Sequence, residues 1–361
     1  MKKIKDIIIL ILPFGILSWI LRKRYSKNSI IQYDNSLPDI KEVDSKFDSI
    51  ISVQGLGFSG SGAVVDFLRE FPCCLTYGTI DIDGSKTKGN KQQDGEINIL
   101  RHSGGLFEIE HYLNDNNIFF KDALLKRFCL LLNGIDFFKN KDAKRLVNQF
   151  YNQMIGFVID TRGHNDYNSH LANSFVSNEN ILVMKAMSTN EYRSLCRRFL
   201  TSLFNLFYDT KYKCLVLDQL CGDFNYNESR NKEYIPNLKT IFVYRDPRDI
   251  YSYALLRNVS WIPHDDVDEF IKWYKLLWNG INRDSSEFLI IRFEELVNNY
   301  EEVTSDIMRY LNLDSSLHKF KFESFDPKES AKNIAIWKKM DGHVASMERI
   351  ANNLSEFCYN S

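Results

Sequence analysis

The chain reads as an α/β protein: a central parallel sheet flanked by helices, with a helical insertion acting as a cap. Three observations predict it. Two apolar, β-rich runs about two hundred residues apart, Ile50–Gly62 (IISVQGLGFSGSG) and Thr240–Asp249 (TIFVYRDPRD), each break into anion-binding groups and then enter a helix. Six short runs read as central strands: Ile50–Val53, Cys74–Tyr77, Ile181–Met184, Leu215–Leu217, Thr240–Tyr244 and Phe288–Arg292. Between the second and third lie about a hundred residues with helical spacing, clearest at 121–132 and 142–157.

Residues 1–25 stand apart from that pattern. A lysine-rich start is followed by fifteen apolar or small residues, Ile7 to Leu21, and then by Arg22, Lys23 and Arg24. As a helix the run would span roughly 22 Å, short of the ~30 Å hydrocarbon core, with Pro13 in its middle. No small-x-small cleavage site follows, which argues against a secretory signal. Basic flanks on both sides predict a segment lying in or dipping into an anionic membrane surface, at the cytoplasmic face. A short span that snorkels at both ends, or an apolar helix packed on the domain, are the alternatives. Polar residues 26–48 read as a linker, 49–345 as the domain with its insertion at about 110–178, and 346–361 as a tail.

At the first strand, Gly55-Leu-Gly57-Phe-Ser-Gly60 fits the dinucleotide fingerprint G-x-G-x-x-G. A helix over Ala63–Glu70 follows it, and Asp81 sits about twenty residues further on. Glycines let the backbone approach a phosphate, and the free N–H groups of a helix start carry partial positive charge toward it. No Gly-Lys-Ser/Thr follows, so this is not a Walker loop. A glycine-rich turn that binds nothing would look the same.

At the later strand, Asp246-Pro247 forces the chain out of the β conformation, and Asp249–Arg257 continues as a helix with an acidic first turn. Arg245 therefore falls at a strand's carboxyl end, where open α/β sheets bind ligands and an arginine can clamp a phosphate. The competing expectation is that Arg245 and Arg248 simply pair with Asp246 and Asp249 on the surface.

Four segments in order resemble the PAPS-dependent sulfotransferases of the carbohydrate type, where PAPS is 3′-phosphoadenosine 5′-phosphosulfate. Phe58–Ala63 resembles the 5′-phosphosulfate loop, and Val243–Asp249 resembles the strand and helix that bind the 3′-phosphate. Ile290–Val297, with the helix leading to Asp314, resembles the family's late strand and following helix. Ser330–Lys338 resembles the C-terminal segment that folds back over the cofactor. The resemblance implies a three-layer P-loop-like fold. It also implies cofactor contacts from Gly57, Phe58, Ser59, Gly60, Ser61, Gly62, Ala63, Arg245, Ser252, Lys332, Asn333, Trp337 and Lys338. Two departures stand out. Phe58 occupies the place of the loop cation, and Tyr253 occupies the place of a phosphate-binding serine, with Ser252 one residue early.

Sulfuryl transfer resembles phosphoryl transfer, an in-line displacement in which positioning and charge stabilisation dominate. That scheme requires no metal, and no His/Cys/Asp cluster has metal-ligand spacing. With Phe58 in the cation's place, Lys185 at the end of Ile181–Met184 is the first alternative, provided that run is a central strand. Glu96 matches the glutamate of the family's Lys-Glu-x-x-x-Phe segment, which takes the acceptor proton. His102, beside Gly104-Gly105, is the rival base, since histidine titrates near neutrality. The expected activity is transfer from PAPS to a hydroxyl of a glycan or lipid-linked saccharide. The alternatives are an NAD(P)-dependent oxidoreductase and a non-catalytic nucleotide-binding protein.

Composition bounds the rest. The 361 residues suit one large α/β domain or two smaller ones, and a net charge of −1 argues against a nucleic-acid binder that relies on a basic face. Seven cysteines without C-x-x-C form neither a disulfide framework nor a zinc pattern, and read as reduced core residues. Phe270, Trp273, Tyr274, Leu277 and Trp278 recur at helical spacing and read as core.

Overall fold

In the computed structural model the described residues are 36–55, 57–77, 97–115, 118–135, 140–159, 181–221, 227–279 and 285–359, with Asp34, Phe138, Ile281 and Arg283. Strands are β1 (Ser49–Gly55), β2 (Cys74–Tyr77), β3 (Ile155–Ile159), β4 (Ile181–Met184), β5 (Cys214–Asp218), β6 (Leu238–Tyr244) and β7 (Leu289–Arg292). Helices are α1 (Ser61–Arg69), α2 (Leu106–His111), α3 (Ile118–Gly134), α4 (Lys141–Met154), α5 (Thr189–Asn205) and α6 (Glu228–Tyr234). They continue with α7 (Pro247–Arg257), α8 (Val267–Asn279), α9 (Phe293–Asn298), α10 (Tyr300–Leu311), α11 (Pro327–Ser330) and α12 (Val344–Asn353).

Five strands form one parallel sheet in the order β2-β5-β1-β6-β7. The chain leaves β1 toward β2 and β5 on one side and toward β6 and β7 on the other. The C-terminal ends of β1 and β6 thus border a topological switch point. Alternate side chains feed two cores. Ile50, Leu215, Leu217 and Phe242 face a cluster with α3, α4 and α5, while Ile51, Val53, Val216, Ile241 and Val243 face α1, α9 and α10. The result is the three-layer α/β architecture that the strand pattern predicts. Each fully buried core side chain of this size contributes about 1.5–3 kcal/mol.

The structure corrects three expectations. Ile181–Met184 is a strand, but it pairs antiparallel with β3 in a separate two-stranded ribbon and does not join the central sheet. A short apolar run looks the same in either setting, because periodicity records burial and not pairing partner. The described part of the linker is tied down. Ile40 and Phe47 are buried, the Gln149 Nε2 donates to the Pro38 carbonyl at 2.8 Å, and the Asn205 Oδ1 accepts from the Lys46 N–H. The tail is also part of the body: Met347, Ile350, Leu354 and Phe357 are buried in a third core cluster with α7 and α8. That cluster takes up Phe270, Tyr274, Leu277 and Trp278 as the helical spacing predicts. The helices of the insertion bury their apolar faces in the same core as the sheet. The cysteines among the described residues are free, six of them buried.

Candidate active site at the carboxyl ends of β1 and β6

After Gly55 the chain turns through Gly57–Gly60 into α1, with Phe58 at φ 60° and Gly60 at φ 93°. Gly60 satisfies two demands at once: its conformation is left-handed, and an added Cβ would overlap the Phe293 ring. Gly60 caps α1 without a side-chain hydrogen bond, and the Ala63 N–H donates to the Gly60 carbonyl at 3.0 Å, which leaves the Ser61 and Gly62 N–H groups for the positive end of the helix. Ser59 is buried, and its Oγ has no hydrogen-bond partner among the described residues. Gln219 secures the other side of the loop. Its N–H donates to the Val53 carbonyl at 2.8 Å, its Nε2 donates to the Ser61 Oγ at 3.1 Å, and its Oε1 accepts from the Gly55 N–H at 3.4 Å. Sequence reasoning missed Gln219. The available signal was a polar residue directly after the fully buried run Cys214–Asp218.

The chain returns along this edge, with the N–H groups of Ile97, Asn98 and Leu100 donating to the carbonyls of Asp218, Gln219 and Leu220. Glu96 and Asp81 lie outside the described residues.

At the end of β6, Arg245 is 3 % exposed. Its Nη1 donates to the Phe58 carbonyl at 3.1 Å, its Nη2 donates to the Asn333 carbonyl, and the Asp249 carboxylate lies at 3.5 Å. The rings of Tyr253 and Phe293 lie 4.8 and 5.0 Å from the guanidinium carbon. Asp249 accepts the N–H groups of Ala335 at 2.9 Å and Trp337 at 3.1 Å, and the Tyr253 hydroxyl donates to the Asn333 Oδ1 at 2.7 Å. Burial pushes the Asp249 carboxyl up, with Arg245 opposing it. The loop, the strand end and the C-terminal segment, far apart in sequence, are thus joined through one arginine and one aspartate.

Behind them, Arg248 pairs with Asp246 at 2.6 Å and lies 4.0 Å over the Trp337 ring. The Glu294 Oε1 accepts the Asp246 N–H at 2.9 Å, and burial pushes the Glu294 carboxyl up to about 7. The Arg245–Asp249 and Arg248–Asp246 pairs expected on the surface do form, but in the interior.

Other expected residues fall elsewhere. Ser252 is fully buried and its hydroxyl donates to the Arg248 carbonyl at 2.7 Å, one helical turn back. It is turned back onto α7. Lys185 is exposed beyond the β3–β4 ribbon, so the central-strand placement that suggested a catalytic charge does not hold. Lys332 is exposed and pairs with Glu329 at 2.9 Å, and the Lys338 ammonium lies 5.6 Å from the Trp337 ring. His102 lies 2.8 Å from the Arg230 Nη1. A guanidinium only donates, so the His102 Nε2 accepts there and its lone pair is engaged. Among the described residues no group of three or more His, Cys, Asp or Glu could hold a metal ion, and no helix is long and apolar enough to cross a membrane.

Among the solved structures this chain is similar to are sulfotransferases and sulfotransferase domains. The sulfotransferase domain of the Synechococcus PCC 7002 olefin synthase shares 12% identity at a TM-score of 0.39, over 91% of this chain and 99% of that one. The sulfotransferase domain from the curacin biosynthetic pathway shares 12% at 0.37, over 86% and 99%. The sulfotransferase STF1 from Mycobacterium tuberculosis H37Rv shares 12% at 0.37, over 87% and 80%. No family model and no curated protein matches the chain. Likeness of this degree fixes neither activity nor ligand.

The two ends of the site differ in their fit to PAPS. N–H groups at the helix start, tight glycines and the unpartnered Ser59 hydroxyl suit a phosphate or sulfate ester at the loop. At the other end the Arg245 guanidinium is already engaged by two carbonyls and Asp249, leaving Nε as its unpartnered donor.

Proposed function

We propose that the chain is a sulfotransferase that moves the sulfuryl group of PAPS to a hydroxyl of a glycan or lipid-linked saccharide. The observation that carries this reading is the convergence of the glycine loop, the β6 arginine and the Asn333–Trp337 segment at the switch point of the sheet. PAPS supplies an activated sulfuryl group on a phosphate. Gly57, Phe58, Ser59, Gly60, Ser61 and Gly62 offer backbone N–H groups and the Ser59 hydroxyl to that end, while Ala63, whose N–H donates to the Gly60 carbonyl, starts the helix behind them. Arg245 fixes the loop through the Phe58 carbonyl and places a cation directly behind residue 58. Asn333 and Trp337 close the nucleotide side, with Lys332 and Lys338 at its rim. In the transfer, the bond from sulfur to the acceptor oxygen forms as the bond from sulfur to the phosphate oxygen breaks. The acceptor proton passes to a carboxylate or imidazole. Glu96 is the favoured base, because Arg230 occupies the lone pair of His102.

The dinucleotide reading is less well supported. Its second glycine must leave room for a pyrophosphate, yet the space beside Gly57 is filled by the Trp261 indole. Nucleotide binding without transfer is the second reading, favoured by Phe58 in the cation's place. Calorimetry with adenosine 3′,5′-bisphosphate beside NAD(P)H, then transfer of labelled sulfate from PAPS, tests all three. Bisphosphate binding with transfer supports the sulfotransferase, binding without transfer the second reading, and NAD(P)H binding alone the oxidoreductase. Residues 1–25 attach the enzyme to the cytoplasmic membrane face in this scheme. Retention in the pellet after a salt wash, lost on deleting 1–25, is the expected result, and a fully soluble chain would contradict it.

A further inference from the structure

Phe58 is a bulky residue in the left-handed region, a conformation that costs on the order of 1–3 kcal/mol unless its surroundings enforce it. Here they do. The Phe58 ring is sandwiched between Tyr253, at 5.5 Å and 18°, and Trp261, at 5.9 Å and 25°. Tyr253 in turn faces the Arg245 guanidinium. A continuous stack therefore runs from the buried cation, through two rings, to an indole that is 57 % exposed.

The loop that carries Trp261 is tied down by several contacts. Asn258 ends α7 in the left-handed region, Ile262 is buried, and the His264 ring lies 3.0 Å from the Ile262 carbonyl and 3.1 Å from the Asn258 Oδ1. The Tyr251 hydroxyl donates to the His264 carbonyl. The Cη2 edge of the indole is pressed on Gly57, where an added Cβ would overlap it. The outer part stays in water. An aromatic surface held this firmly beside an anion cradle is built to receive a ring. Arg257 at the end of α7, and Ser260 and Asp265 beyond it, are exposed on either side of Trp261 in sequence and offer polar groups suited to hydroxyls.

We infer that Trp261 is the acceptor platform, stacking the C–H face of a pyranose on the indole face turned away from Phe58. This rests on the sulfotransferase reading for its meaning, but its first test does not. Methyl pyranosides titrated against the full chain without PAPS should quench tryptophan fluorescence saturably, and the quench should vanish in Trp261→Phe with the other four tryptophans intact. In transfer assays Trp261→Ala should raise the saccharide KM about tenfold, the loss expected of one stacked ring. kcat should stay within about threefold and adenosine 3′,5′-bisphosphate affinity within about twofold. Equal KM values in the two proteins would overturn the inference. So would a parallel fall in bisphosphate affinity, which marks a merely structural role for the indole, or quenching by 4-nitrophenol and by no pyranoside. Failure of the bisphosphate to bind would instead strike the proposed function, since the pyranoside titration is read without it.

Discussion

The two ends of the site begin from the same sequence signal, a buried parallel strand running into anion-binding groups, and become opposite things. At the loop end, Gly57–Gly62 leaves helix N–H groups and the Ser59 hydroxyl over, with nothing from the described protein bound to that hydroxyl. At the arginine end, Arg245 is consumed by the fold: two carbonyls, one carboxylate and two aromatic faces surround it. A charge can be placed at a ligand site or used to hold the site together, and burial decides which. A guanidinium 3 % exposed is held by protein at both Nη atoms, with Nε left over, whereas backbone N–H groups at a helix start can wait for a ligand.

The sharpest way to break this contrast is Arg245→Met. It leaves Asp249 buried without its cation and strands the Phe58 and Asn333 carbonyls, so a loss of about 3–5 kcal/mol is expected in urea unfolding. A loss below about 1 kcal/mol, with nucleotide binding abolished, would make Arg245 a ligand group and the two ends alike.

Next comes Glu294, which lies against this cluster and whose carboxyl is raised from 4.5 to about 7 by burial. The sign follows from linkage. A raised folded value gives stability that is complete below pH 4.5 and lost as pH rises through 7. Wild type should therefore lose on the order of 3 kcal/mol between pH 5 and 8 that Glu294→Gln retains, because the amide oxygen can still accept the Asp246 N–H. Parallel pH–stability curves would show that Glu294 is not buried in this way.

At the loop end the effects should be smaller. Gly57→Ala is expected to cost about 1–3 kcal/mol by displacing the indole, with most of the cost removed when Trp261→Ala is added. Independent, additive losses would place the strain elsewhere. The smallest change in stability should come from Ser59→Ala. It removes a hydroxyl that bonds to nothing described, so stability should move by no more than about 0.5 kcal/mol. Adenosine 3′,5′-bisphosphate affinity should nonetheless fall about fivefold. If stability falls and affinity does not, the loop end is structural too.

Five of the six strands were legible as members of the central sheet because burial on both faces writes continuous apolar runs into the inner strands β1, β5 and β6, and the edge strands β2 and β7 carry short apolar runs of the same kind. β4 was legible as a strand but not as a ribbon strand, and Lys185 went astray with it. Within the site, Gly60 could be located from residue type and order, and the segment from Asn333 to Trp337 from its resemblance to the sulfotransferases' C-terminal segment. Gln219 could not, because its role depends on β5 lying beside β1, a pairing no local pattern records.

By itself, then, the sequence determined the layered α/β class, the glycine turn with its helix start, and the arginine at the end of β6, each dictated by local chemistry: burial period, φ freedom, and proline's break of the strand. Only the tertiary structure decided that Arg245 faces inward, that Ser252 is spent on its own helix, and that Phe58 is held by Tyr253 and Trp261. The physical reason is that a side chain's task depends on which distant groups surround it. A buried arginine and an exposed tryptophan are outcomes of packing between segments that the sequence lists far apart.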